Sequence, residues 1–87
     1  MSILKEAQDI RNGARAVDYG DAVVGFELIA QIASLLLGKE VTAKECCTIL
    51  IALKLSREAH AHKRDNLVDL CGYADILQLI HEKEETI

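Results

Sequence analysis

The densest set of side chains able to do chemistry lies between Lys54 and Tyr73. Lys54, Arg57 and Glu58 stand three or four positions apart, so a helix would place them on one side, while Asp65 and Asp69 are one turn apart with Tyr73 a turn further on. Two neighbouring helices would then set cations against carboxylates. Such an inventory suits a nucleotide: Lys and Arg for phosphates, Asp and Glu for a hard cation such as Mg²⁺, and a Tyr face for a base. A plainer arrangement uses the same residues, with Lys54 and Glu58 as a surface pair and Asp65 as a helix cap. Asp69 argues for more than that. It immediately precedes Leu70 and Cys71 in an oily segment, where a buried carboxylate without a cation or metal is expensive.

Other reactive types offer less. His60 and His62 are two apart and point to different sides of a helix, which suits solvated positions at a helix end better than shared metal ligation. His81 has no evident partner. Cys46 and Cys47 are adjacent on an apolar stretch with neither His nor Lys beside them, and with Cys71 they form an odd set without the spacing of a zinc site or a disulfide framework. They read as small core residues of a protein kept reduced. The chain shows no nucleophile with a base at motif spacing, no Gly-rich phosphate loop and no interleaving of aromatic and basic residues.

The elements that must position these residues are helices. Ile3, Leu4, Ala7 and Ile10 have helical spacing behind a Ser2 cap, with Gly13 as a stop, so the first helix is expected over about 2–12. The stretch from Gly13 to Gly20 reads as a loop. From the Asp21 cap to Leu37 the chain is apolar nearly all round, with Glu27, Gln31 and Ser34 as a narrow polar stripe; this second helix, 21–37, should be central in a bundle or lie at a subunit interface. Gly38 stands where a left-handed C-cap is wanted. Thr42 and Glu45 form a capping box for a third helix over 42–61, with a buried middle. Asp65 or Asn66 should cap a fourth over 65–82, before a fraying charged tail. Gly72 inside that helix costs about 1 kcal/mol relative to Ala, which points to close approach of another helix or a ligand.

Bulk composition agrees. The 87 residues form one helical domain with one core, and chains of this size bury only about 60 to 65% of their unfolded surface, so stability should be modest. Apolar residues make up 51% of the chain, yet the aromatics are only Phe26, Tyr19 and Tyr73, and proline is absent. Leu, Ile, Val and Ala must therefore build a helix-packed core, giving an all-α four-helix bundle of up-down helices. A net charge of −4 argues against an extended nucleic-acid surface. No apolar run is long enough to cross a bilayer, and no export signal stands out, so a cytoplasmic location is expected.

The ordered residues also carry a resemblance. Arg15, Asp18-Tyr19-Gly20-Asp21, Phe26 with Ile29-Ala30, Gly38 with Val41-Thr42, Leu53-Lys54 with Arg57, and Asp65 to Leu70 ahead of Gly72-Tyr73-Ala74 resemble a small phage-borne domain, over about residues 4 to 80. That domain is itself similar to the all-alpha nucleoside triphosphate pyrophosphatases of the MazG and dUTPase kind. The resemblance implies a helical bundle, dimeric or larger, that holds Mg²⁺ on two acidic helix motifs and cleaves between the α and β phosphates. The second motif would fall on Asn66 to Asp69, with Asn66 standing where those enzymes carry Glu and Asp65 beside it as a substitute. For the first motif the chain offers Glu27 or the stretch from Lys54 to Glu58.

On this reading Asp69, Asp65 and Glu27 would hold the metal, Lys54 and Arg57 would act with the two aspartates on the phosphates, and Arg15, Tyr19, Asn66 and Tyr73 would bind substrate. Three functions are then expected in turn: a Mg²⁺-dependent nucleoside triphosphate pyrophosphohydrolase, a nucleotide-binding protein without catalysis, or a helical homo-oligomer whose partner is protein, which the oily second helix favours.

Overall fold

The computed structural model describes residues 2–13 and 21–85. Local signals set the four helices of the described residues: α1 (Ile3–Asn12), α2 (Ala22–Leu37), α3 (Ala43–His60) and α4 (Arg64–Glu85). Ser2 Oγ accepts the Leu4 N–H, and Asp21 accepts those of Val23 and Val24, so both helices begin where a short polar side chain can satisfy orphan donors. Gly38 ends α2 at φ 70°, a left-handed conformation that disfavours any side chain with a Cβ. Thr42 and Glu45 close a reciprocal capping box at the start of α3. Ser34 does not belong to a solvated stripe; its Oγ donates to the Ala30 carbonyl and accepts the Val41 N–H at 2.8 Å, which ties the α2–α3 turn.

Helix α4 departs from expectation at both ends. It begins at Arg64, so Asp65 is exposed in the first turn and Asn66 is buried; neither is the cap. The Glu58 carboxylate instead ties the α3–α4 turn, accepting the Lys63 N–H at 3.0 Å just before the helix and the Asn66 Nδ2–H at 3.3 Å. The charged tail expected to fray from residue 82 stays helical to Glu85, where Lys83 pairs with Glu27 and Glu84 with Lys44.

The four-helix, all-α architecture holds. Helices α3 and α4 form an antiparallel pair, seen in the successive partners Lys44–Glu84, Lys54–Asp69 and Glu58–Asn66. The short turn after Gly38 makes α2 antiparallel to α3. Helix α1 runs in the same sense as α4, fastened by Glu6–Arg64 near its start and Arg11–Asp75 near its end. It packs on α4 alone among the described helices. Since α1 and α2 do not pack on each other, the bundle is open between them.

The core joins Val23, Phe26 and Ala30 of α2, Ala43, Cys46 and Cys47 of α3, and Ile76 and Ile80 of α4. Cys46 and Cys47 are core residues, as expected, and all three cysteines are free thiols. The middle of α3 is only partly covered, because Ile49 and Leu53 remain exposed. Helix α2 is not central either: its Phe26 side is buried, while Val24, Leu28, Ile32 and Leu35 on the other side are each at least 54% exposed. No helix among the described residues is long and apolar enough to cross a membrane.

Candidate functional site

The opening between α1 and α2 is a cleft of about 630 Å³, within the range of small-molecule sites, ~300–1,000 Å³. Its floor is one side of α4: Val68, Asp69, Gly72, Tyr73, Ile76 and Leu79 recur at helical spacing. Ala7, Ile10 and Arg11 form the α1 wall. Val23, Gly25, Phe26 and Ile29 form the α2 wall. Phe26 and Tyr73 meet edge to face, with ring centroids 6.2 Å apart and planes at 86°; Phe26 belongs to the core, and Tyr73 is the half-buried ring of the two.

Two glycines mark the cleft. Gly25 and Gly72 lie within helices on facing elements, and neither adopts a positive φ. A Cβ at either position would meet nothing within 4 Å. Each glycine therefore costs helix stability without any packing demand inside the chain to explain it. The close approach expected at Gly72 is not made by another helix; the residue opens onto the cleft and onto a smaller groove between α1 and α4.

Charge is placed sparingly. Asp69 lines the cleft and is held by Lys54 Nζ at 2.8 Å, both side chains mostly covered at 20% and 15% exposure. The half-buried carboxylate thus has its cation. Arg11, Lys83 and Asp21 supply the other ionic groups of the lining, Arg11 being paired with Asp75 and Lys83 with Glu27. With two cations against two carboxylates, the lining itself is close to neutral. Sequence reasoning did not find Arg11, Lys83 or Gly25; the one available signal was a second glycine inside a helix.

The remaining sequence candidates scatter. Glu58 pairs with His62, not Lys54, and that contact, the Lys63 N–H and the Asn66 amide together hold its carboxyl below the usual range. Asn66 is engaged with Glu58 beneath the turn. Arg57 and Asp65 are exposed and stand outside the cleft lining. Glu27 is committed to Lys83. Arg15 and Tyr19 lie outside the described residues. Among the described residues no three His, Cys, Asp or Glu side chains are grouped as a metal ion would need, so Asp65, Asp69 and Glu27 do not form one ligand set.

Fold and cleft define a helical domain built around a small, mostly apolar pocket with one internally neutralised carboxylate. The chain belongs to the family described as Domain of unknown function (DUF6378), matched over residues 2–81. It is similar to the Gene 55 protein of Mycobacterium phage L5, 38% identical over 87 residues, covering 98% of this chain and 56% of that protein. It is also similar to the Gene 55 protein of Mycobacterium phage D29, 34% identical over 83 residues, covering 94% and 55%. The phage-type resemblance read from the sequence is therefore correct. The chain spans about half the length of the curated relatives it matches. No solved structure matches it.

Proposed function

We propose that this phage-type domain binds a nucleotide or a nucleotide-like phosphate compound in the cleft between α1 and α2. The observation that carries the reading is that two glycines within helices, Gly25 and Gly72, line the same cleft as Phe26 and Tyr73, and that a Cβ at either would meet nothing within 4 Å. A flat heterocycle suits that space, because it needs width between helices and can lie against the half-buried Tyr73 ring. Asp69, fixed by Lys54, offers acceptors for the N–H groups of a base. Arg11 and Lys83 offer cationic donors for a phosphate. Lys54 acts as a positioning residue, since it holds Asp69 and does not itself line the cleft.

Binding without cleavage is better supported than hydrolysis. Cleavage between phosphates needs cations and metal-binding carboxylates converging on one point. Here Asp65 is exposed, Glu27 is tied to Lys83, and Arg57 stands apart from the cleft.

A thermal-shift panel of nucleoside mono-, di- and triphosphates, with and without Mg²⁺, tests the reading. A ligand at a hundred times its Kd stabilises by about 2.7 kcal/mol, a shift easily read for a domain this small. Some nucleotide should raise the Tm of the wild type and of Gly72→Ala, and leave Gly72→Phe unmoved because the ring fills the cleft. A panel in which nothing shifts the wild type contradicts the proposal.

A further inference from the structure

We infer that α2 is a self-association surface and that two copies of this chain pair through it, antiparallel and about a two-fold axis. Six aliphatic side chains, Val24, Leu28, Ile29, Ile32, Leu35 and Leu36, share the side of α2 turned away from the core, and each is 46–85% exposed. Gln31 is the polar residue that interrupts this stripe. The apolar surface that these six side chains expose is on the scale of the ~300–600 Å² of a typical monomer's largest patch, against the ~800 Å² per partner of a standard interface.

The occupant follows from the pattern of the stripe. Val24, Leu28, Ile32 and Leu36 form an i, i+4 ridge, and the commonest helix packing interdigitates that same ridge on both partners, so one α2 presents what another requires. An axis level with residue 30 makes the register self-complementary. Leu28 then faces Ile32 of the second copy, and Val24 faces Leu36. Asp21 and Lys39 lie beyond the two ends of the stripe, the first as the N-cap of α2 and the second just after its Gly38 C-cap. The net charge of −4 does not oppose this pairing, because the stripe between those ends carries no charge. Gly25 and Ile29 also line the cleft, so the second copy borders its open side.

Sedimentation equilibrium tests the inference without any ligand, so its outcome is separate from that of the nucleotide panel. The wild type should sediment at twice the 9.6 kDa chain mass in the tens of micromolar range. Ile32→Glu should halve the mass with an unchanged helical circular dichroism spectrum, since the residue is exposed in the single chain. Leu55→Glu, at an equally exposed position on α3, should leave the mass at two chains. A wild type that sediments as one chain, an Ile32→Glu variant that keeps the doubled mass, or a Leu55→Glu variant that loses it would overturn the proposal.

Discussion

Lys54 and Asp69 meet at 2.8 Å across the α3–α4 interface, and the carboxylate they fix forms part of the floor of the cleft. An ion pair this well covered lies between the exposed case, worth little, and the buried case, in which removing one partner leaves a costly lone charge.

Lys54→Ala should therefore destabilise the domain by about 1–3 kcal/mol, and Asp69→Asn by a similar amount. The double variant should cost less than the sum of the two, because the second change relieves the charge stranded by the first. Urea unfolding of the four proteins measures this coupling, and strict additivity would show that the pair contributes nothing.

Gly25→Ala and Gly72→Ala should each stabilise the domain by about 0.5–1 kcal/mol, since Ala is the better helix former and its methyl group meets no neighbour. Gly38→Ala should do the opposite, because at φ 70° the added Cβ is strained. The sign of the three shifts in urea midpoint is the check.

The Glu58 carboxyl is held low by His62, the Lys63 N–H and the Asn66 amide. A carboxylate whose folded pKa lies below its unfolded value contributes stability that is complete above the unfolded value, about 4.3, and is lost as pH falls through the folded one. Stability of the wild type should thus decline below about pH 4 more steeply than that of Glu58→Gln. Parallel acid limbs for the two proteins would remove Glu58 from that role.

Burial raises the Cys47 thiol, with Cys46 beside it adding to the effect, and Cys47 Sγ donates to the Tyr73 carbonyl at 3.3 Å. A neutral thiol inside the core reacts slowly. Labelling of the native protein with a thiol reagent should modify the half-buried Cys71 first, and Cys46 and Cys47 only on unfolding. Early labelling of Cys47 would contradict the packing described.

How far the sequence carried this picture depends on how local each signal is. The Asp21 cap, the Thr42–Glu45 box and the Gly38 stop act within a few residues, and all three were legible. The start of α4 was not, because the group that braces the turn before it is Glu58, on the preceding helix. The Lys54–Asp69 contact could be anticipated from helical phase on two neighbouring helices. Arg11, Lys83 and the cleft could not, since they depend on α1 docking to α4 in the same sense and leaving α2 untouched, an arrangement with no sequence period of its own. Gly72 was visible as a helix residue without a local reason; only the fold set Gly25 opposite it.

The most direct test of the account follows individual amide signals in a ¹H–¹⁵N spectrum while the nucleotide selected by thermal shift is added. The cleft reading predicts that the largest changes fall on Gly25, Phe26, Gly72 and Tyr73, with the amides around Arg57 and Asp65 nearly still. Movement centred on Arg57 and Asp65, with Gly25 and Gly72 unchanged, would place the ligand elsewhere and contradict it.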